Sequence, residues 1–461
     1  MTVGETIYSS VSKTTYVVCQ VLKKSGQAEL AFAKSDSSES TFLIKKLINV
    51  RYYSKGIKHK SSIVFEKERR VIYNTINLST LPNATCSYIH DFFREKTFYY
   101  IVTEKVVGIP LNPLILSKAI LLEERLALFR RIVYSFIPFE RGGIVHGDVK
   151  PDNILLKRVD SSFTIRLIDF ETSFFCSSPP AKGFIVGTEP YYSPELALYN
   201  DENNDVTKDV LSTKSDIFSL GIILFELLTG FYPTTVDDHS YCHEIISRGK
   251  KILFPTEWSK ELQSLINDML SIKPSSRPGI MEIVERLKLL PDKSSNTIEI
   301  ISPETLIYRI SEDKAFVSLF SYNLNSEIDY SLDNGEKHPY QEPFIIEDDD
   351  IDIELYVKVK YGSKTIKRSF NKSISVSPKR SMKIPRPIIK VNKGQVTISC
   401  AEDRAIICYT LDGSTPTKYS KRYDGTFSVG EKVLIKAIAR CIGMIPSDVT
   451  SINSSSNIMM T

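Results

Sequence analysis

Between His146 and Leu156 the chain reads H-G-D-V-K-P-D-N-I-L-L, which sets a carboxylate (Asp148), an ammonium (Lys150) and a carboxamide (Asn153) in one short loop. Asp169 follows sixteen residues beyond Asn153, in L-I-D-F-E, on the far side of a hairpin pattern. Such a set suits the movement of a phosphoryl group. One carboxylate can orient a hydroxyl nucleophile, and the lysine can neutralise charge on the group in transit. The amide and the second carboxylate offer the hard oxygen atoms that hold magnesium.

Several elements must bring these groups together. Apolar residues at 126, 128, 129, 132, 133 and 136 predict a helix over Glu123–Phe139 leading into the loop. Further back, Y-V-V-C-Q-V-L from Tyr16 and the K-K-S-G-Q-A-E-L-A-F-A-K that follows form a strand–turn–strand pattern. Ser40–Val50, Cys86–Phe92 and Thr97–Val107 predict three more strands, and Phe65–Ile76 a helix with apolar residues at 65, 72 and 76.

H-G-D-V-K-P-D-N followed by D-F resembles the catalytic loop and metal-binding motif of eukaryotic-type protein kinases, H-R-D-x-x-x-x-N and D-F-G. Gly147 replaces the arginine of that template and Glu171 its last glycine. The resemblance implies that Asp148 orients the substrate hydroxyl, Lys150 stabilises the transferring group, and Asn153 and Asp169 bind metal. F-L-I-K is similar to the family's V-A-I-K, making Lys45 the phosphate-contacting lysine. Strand alternation turns the adjacent Lys46 to the opposite face. Glu68 fits the helix carboxylate that pairs with Lys45, with Glu66 as the alternative. Without the family, a strand lysine and a helix glutamate are usually solvated side chains.

The family's G-x-G-x-x-G falls on Lys23-Lys24-Ser25-Gly26-Gln27-Ala28, where Gly26 restores only part of the freedom that three glycines give the backbone near phosphates. Lys23 and Lys24 either supply charge there or form a solvated hairpin tip. Glu104 to Val106 matches the hinge that meets adenine, with Thr103 gating the space behind it; the bland reading is an edge strand. Gly187-Thr188-Glu189-Pro190-Tyr191-Tyr192-Ser193-Pro194-Glu195 is similar to G-T-x-x-Y-x-A-P-E. Lys150 and Thr188 are the serine/threonine type. Glu195 is expected to pair with Arg277, and Asp216 to hold the catalytic-loop backbone from a helix over 214–230. Because Gly147 cannot bind a phosphate on the activation segment, activity independent of that switch is expected, whatever phosphorylation of Ser177 or Ser178 does.

Apolar content of 42% and charged content of 25% over 461 residues indicate a globular chain of two or three domains. A net charge of +4 gives no support for a nucleic-acid or anionic-membrane partner. Seven scattered cysteines without C-x-x-C spacing fit reduced thiols. M-T-V-G-E-T-I-Y lacks the features of a signal peptide, and Leu220–Leu228 carries Glu226 and falls short of the roughly 20 apolar residues that span a bilayer. A cytoplasmic protein is expected.

After Leu290 strand and turn patterns take over. Residues 317–340 and 396–419 align without gaps at an offset of 79, sharing Val317/Val396, Tyr330/Tyr409, Leu332/Leu411, Asp333/Asp412 and Tyr340/Tyr419. The second copy, with Y-T-L-D-G-S-T-P-T and V-L-I-K-A-I-A-R, resembles the C-terminal β-sandwich of chitobiases and β-hexosaminidases, an accessory module. The expected fold is an α+β bilobal protein kinase followed by two all-β, immunoglobulin-like sandwiches. Its expected boundaries are 1–292 (small lobe 1–106, large lobe 107–292), 297–380 and 386–461, with linkers at Pro291–Asn296 and 377–387. The expected activity is transfer of phosphate from ATP, with Mg2+ (or Mn2+ as the alternative ion), to serine or threonine hydroxyls of proteins. The β modules would recruit a protein or glycan partner. The competing reading is a pseudokinase scaffold that binds nucleotide.

Overall fold

The computed structural model describes residues 1–24, 28–36, 38–48, 62–80, 85–159, 162–235, 240–290, 298–309, 315–333, 335–346, 350–361, 364–375, 384–392, 394–402, 405–416, 420–423, 425–430, 432–440 and 446–454. Gly26, the Pro291–Asn296 linker, most of the 377–387 linker and Tyr419 lie outside the described residues, as do the side chains of Lys23 and Lys24. The chain divides into two compact units. The first holds Met1–Glu304 with Phe320–Ile328 and Tyr356–Ser369; the second holds Thr305–Leu319, Asp329–Leu355 and Phe370–Thr461.

The first unit begins with β1 (Thr6–Tyr8), β2 (Thr15–Lys24), β3 (Ala28–Ser35), β4 (Ser38–Leu47), α1 (Ser62–Thr80), β5 (Ile89–Glu95) and β6 (Phe98–Glu104), forming a sheet in the order β1-β2-β3-β4-β6-β5. Period-two alternation sends Ala31, Ala33, Phe42 and Ile44 into one core with Tyr16, Phe93, Tyr100 and Val102. Lys45 therefore projects from the other face, whereas the Lys46 ammonium sits 4.1 Å from the centre of the Phe98 ring. On α1, Phe65, Ile72, Tyr73 and Ile76 are buried at helical spacing.

Then follow β7 (Ile109–Pro110), α2 (Pro113–Ala119), α3 (Leu122–Tyr134), α4 (Ile137–Gly142), β8 (Ile144–Val145), β9 (Ile154–Val159), β10 (Ser162–Leu167), β11 (Phe174–Phe175), α5 (Pro194–Asn200), α6 (Lys214–Thr229), α7 (Cys242–Ser247), α8 (Lys260–Met269) and α9 (Ile280–Lys288). The helix expected over 123–139 is two helices, α3 and α4, broken at Ser135–Phe136. Pro138 has no N–H to continue the ladder and is better placed in a first turn, so a new helix starts at Ile137. The apolar period runs through the break and hides it. Helix α6 is buried on nearly every side and ends on Gly230, whose φ of 80° is the left-handed cap that glycine adopts freely. Among the described residues no helix is long and apolar enough to cross a membrane.

The sheet-rich remainder contains β12 (Glu304–Arg309), β13 (Ala315–Phe320), β14 (Ser326–Leu332), β15 (His338–Pro339), β16 (Phe344–Ile346), β17 (Asp350–Tyr361) and β18 (Lys364–Ser375). A second set follows: β19 (Ile388–Asn392), β20 (Gln395–Ser399), β21 (Ile406–Thr410), β22 (Lys421–Arg422), β23 (Phe427–Ser428), β24 (Leu434–Arg440) and β25 (Thr450–Asn453). Sheets β12-β13-β16 and β15-β14-β17-β18 reappear, strand for strand, as β19-β20-β23 and β22-β21-β24-β25. The repeated tyrosines occupy matching places: Tyr330 stacks on Phe344 at 4.2 Å and Tyr409 on Phe427 at 4.5 Å. The duplication in the sequence is thus a duplicated seven-strand topology.

Within the first unit, 320–328 packs on the large lobe. The Phe320 ring stacks 6.0 Å from Phe163, and Arg158 donates to the Ser326 hydroxyl at 2.5 Å and carbonyl at 3.1 Å. Asn323 is fully buried. It donates to the Ala119 carbonyl at 2.9 Å and the Glu299 carbonyl at 2.7 Å, and accepts from the Ile301 N–H at 2.8 Å. Asn323→Ala removes the partner of three backbone groups, of which the Ala119 carbonyl is buried, and is expected to cost the first unit about 2 kcal/mol, read as a shift in its urea midpoint. A shift within error would show that these bonds are replaced.

His243, on α7, is 6% exposed. Burial pushes its imidazole down to about 4, against the opposing pull of Glu244 and Glu195. The folded state therefore keeps it neutral while the unfolded chain takes up a proton below about pH 6.5. Its contribution to stability is complete above that pH and is lost as pH falls from 6.5 towards 4, by about 3 kcal/mol at most. His243→Phe is expected to flatten the dependence of the unfolding free energy on pH across that window.

Candidate active site

The loop from His146 to Asn153 connects β8 to β9, and α6 holds it from below. Asp216, in the first turn of α6, accepts from the His146 N–H at 2.7 Å and the Gly147 N–H at 3.2 Å. Burial pushes its carboxyl up to about 7, and the two backbone bonds pull the other way. Gly147 has a φ of 78°, a left-handed conformation that glycine adopts without strain. A Cβ there would sit 3.1 Å from the Thr172 carbonyl. The hydroxyls of Thr172 and Ser173 close the turn by donating to the His146 carbonyl at 3.0 and 3.3 Å.

Asp148, Lys150 and Thr188 meet in a triangle. The Lys150 ammonium donates to Asp148 Oδ2 at 2.5 Å and to Thr188 Oγ1 at 2.7 Å, and the Thr188 hydroxyl donates to Asp148 Oδ1 at 2.6 Å. Asn153 Nδ2 donates to the Asp148 carbonyl at 2.8 Å and to Oδ2 at 3.1 Å, which leaves the amide oxygen as the atom Asn153 can present to a cation. The Ile168 N–H, bonded to the Asn153 carbonyl at 3.0 Å, ties the loop to the turn bearing Asp169.

Asp169 has a φ of 68°. Burial works to raise its carboxyl, but the Lys45 ammonium at 3.1 Å outweighs it, helped by Lys150 and His146, and holds it below the usual carboxylate range. An ionised carboxylate and an amide oxygen are the donors magnesium takes from a protein when phosphates supply the rest. The donor set fits a phosphate-bound magnesium ion.

Lys45 lies on β4, opposite Ile101 of β6 and Leu30 of β3. Among the partners of its ammonium are the carboxylates of Asp169 and Glu171. Glu68 is half-buried on α1, and Glu66 accepts from the Tyr99 hydroxyl at 3.2 Å. Next to Glu68, Arg69 donates to the Glu171 carbonyl at 2.9 Å. The sequence does not announce the pairing of Glu171 with Lys45. Its one signal was a carboxylate in place of the template glycine.

The stretch expected to form the hinge starts at Glu104, the last residue of β6, whose carboxylate accepts from the Tyr88 N–H at 3.1 Å and lies 3.5 Å from Arg166. Val106 follows outside any helix or strand, and Gly108 passes so close to β9 that a Cβ would lie 2.7 Å from the Leu156 carbonyl. Beyond the site, Arg277 and Glu195 form two parallel bonds of 2.7 Å, with Ser215 donating to the same carboxylate at 2.8 Å. The segment from Phe170 to Ser193 is anchored at several points. Phe174 and Phe175 pair with β8, Asn200 bonds both the N–H and the carbonyl of Ile185, and Tyr199 donates to the Pro180 carbonyl.

The family model of the protein kinase domain matches residues 33–287, and that of the chitobiase/β-hexosaminidase C-terminal domain matches 390–451. The ovarian-specific serine/threonine-protein kinase Lok of Drosophila melanogaster is 27% identical over 230 residues, covering 49% of this chain and 47% of that protein. Calcium/calmodulin-dependent protein kinase type II of Caenorhabditis elegans is 30% identical over 193 residues, 41% of this chain and 26% of that protein. A probable myosin light chain kinase of Dictyostelium discoideum is 30% identical over 202 residues, 43% and 63% respectively. The chain thus spans between a quarter and two thirds of the length of these relatives. With the kinase model matched over more than half of its residues, the chain belongs to the protein kinase family.

Proposed function

We propose that the protein is an active serine/threonine kinase that transfers the γ-phosphate of ATP to protein hydroxyls and does so without phosphorylation of its activation segment. The Asp148–Lys150–Thr188 triangle carries this reading. Asp148 is the acceptor placed to orient an incoming hydroxyl, and Lys150, held between Asp148 and Thr188, is the cation for the group in transit. Asn153 and Asp169 would hold magnesium, which neutralises the phosphates when bound. Lys45 would contact the nucleotide's phosphates, and backbone between Glu104 and Val106 its base. Gly26 and the glycine-poor turn around it would cover the phosphates, with Glu68 as a helix carboxylate beside Lys45. Thr188, Glu195, Asp216 and Arg277 hold the loops in place.

Independence from phosphorylation is supported by the packing of the activation segment. Phe174, Ile185, Leu196, Tyr199 and Leu211 share a core with Val145, and the Asn200 clamp fixes Ile185, so no phosphate is needed to order it. We take the kinase domain as 1–292, with small lobe 1–106 and large lobe 107–292, and the β modules as 297–380 and 386–461. These modules would recruit a protein or glycan partner in a cytoplasmic enzyme that engages neither nucleic acid nor membrane.

Incubation with labelled ATP and magnesium, before and after phosphatase treatment and beside Asp148→Asn, tests the reading. Transfer by wild type that survives phosphatase supports it; loss on phosphatase treatment refutes the independence. The pairing of Glu171 with Lys45 favours one other reading, a nucleotide-binding pseudokinase in which the lysine is held by protein carboxylates. Nucleotide binding without transfer above the Asp148→Asn control would select it.

A further inference from the structure

Glu171 stands where the kinase template has glycine, yet its side chain is 8% exposed and turned onto Lys45. Its φ is not positive, so a side chain at this position imposes no backbone strain. The turn bearing it is fixed from both ends. Phe170 packs into the core against Phe139 at 6.0 Å and His146 at 5.6 Å, and the Ser173 N–H bonds back to the Phe170 carbonyl at 3.2 Å. From α1, Arg69 holds the Glu171 carbonyl, and the buried Tyr73 hydroxyl lies among Arg69, Glu171 and Lys45. A continuous path therefore runs from α1 through Arg69 to the backbone of residue 171, and from its carboxylate to the strand lysine.

We propose that Glu171 is a positioning residue that holds the Lys45 ammonium in place for the phosphates of the nucleotide. The reasoning is electrostatic. Asp169 and Glu171 both meet the Lys45 ammonium, and of these Asp169 belongs to the pair of oxygen donors that fits a cation. When Asp169 serves the cation, Glu171 remains on Lys45 and keeps the lysine from swinging out to solvent. Partial burial strengthens that hold relative to a surface pair. The fixed turn means that little backbone freedom is lost in forming it. This proposal rests on the reading of the site as a nucleotide site, and it makes the Asp-Phe-Glu turn, rather than α1 alone, the element that couples α1 to β4.

The test is a double-mutant cycle in the full chain with Glu171→Gln, Lys45→Met and the double variant. The readouts are binding of a fluorescent ADP analogue in EDTA and in magnesium, and unfolding in urea without nucleotide. Glu171→Gln is expected to weaken binding in magnesium by about tenfold in the Lys45 background, in the mid-range for coupled contacting charges, to weaken it less in EDTA, where Asp169 also holds Lys45, and to change nothing further once Lys45 is methionine. Glu171→Asp, which keeps the charge on a shorter arm, should recover part of the loss. In steady-state transfer, KM for ATP should rise more than kcat falls. Equal effects of Glu171→Gln in both backgrounds, or no effect in either, would overturn the proposal. If wild type binds no nucleotide, the urea cycle decides alone: non-additive midpoints support the pairing and additive ones refute it. Coupling without phosphoryl transfer would leave the positioning role intact and remove the catalytic reading; transfer without coupling would do the reverse.

Discussion

Asp148→Asn is expected to lower phosphoryl transfer by about 10²–10⁴-fold, the range for removal of a positioned acid–base group, while nucleotide affinity changes little. The carboxylate accepts from Thr188 on one oxygen and from Lys150 and Asn153 on the other. Asparagine keeps the shape but must turn an NH2 group towards one of these donors. Whichever way it turns, an N–H faces a hydroxyl, an ammonium or an amide N–H, and the substrate hydroxyl meets no anionic acceptor. Lys150 also loses its counter-charge and is released from the position it holds between Asp148 and Thr188. Single-turnover transfer from labelled ATP measures the effect, and binding of a fluorescent nucleotide by the same preparation checks that the cleft is intact. A variant that transfers at the wild-type rate would remove Asp148 from the mechanism.

That these groups converge in one loop could be read in the sequence because they lie within a few residues of one another. Spacing along a short loop nearly determines spacing in space. Glu195 and Arg277 are 82 residues apart, and only the family resemblance paired them. The lysine on β4 was legible from F-L-I-K and from strand alternation, which correctly separated Lys45 from Lys46. Its pairing with Glu171 was not. Glu171 reaches Lys45 only because the fold lays the Asp-Phe-Glu turn against β4, and no local pattern encodes that approach.

Two other features show where periodicity misleads. The apolar spacing across 126–136 ran through the break between α3 and α4, although Pro138 marked it chemically. Asn323, in S-Y-N-L-N-S, reads as an ordinary turn residue, yet it is buried and bonded to three backbone groups far away in sequence. Repeats fared better. The ungapped offset of 79 gave the duplicated module because a β-sandwich must place its inward residues at fixed strand positions, and the two stacked tyrosines keep theirs.

Arg277→Ala is expected to destabilise the first unit by about 3–5 kcal/mol, the cost of leaving one charge of a buried pair without its partner. Glu195 is 5% exposed and Arg277 is 3% exposed, so water cannot take over the role of the missing guanidinium. The loss reaches beyond the pair itself. Arg277 also donates to the Lys214 carbonyl at 2.8 Å and through Nε to the Ser271 carbonyl at 2.8 Å, so its guanidinium joins α5, the start of α6 and the turn after α8. Two carbonyls and one carboxylate lose donors together, and Ser215 is left as the bonded neighbour of an uncompensated anion. Arg277→Lys keeps the charge but cannot form two parallel bonds and still reach both carbonyls, so it should recover only a minor share. Glu195→Gln combined with Arg277→Met removes both charges and should cost less than Arg277→Ala alone, because no buried ion remains unpaired. Urea unfolding of the four proteins orders them as wild type, double variant, Arg277→Lys and Arg277→Ala, and a double variant less stable than Arg277→Ala would show that the pair contributes attraction well beyond its desolvation.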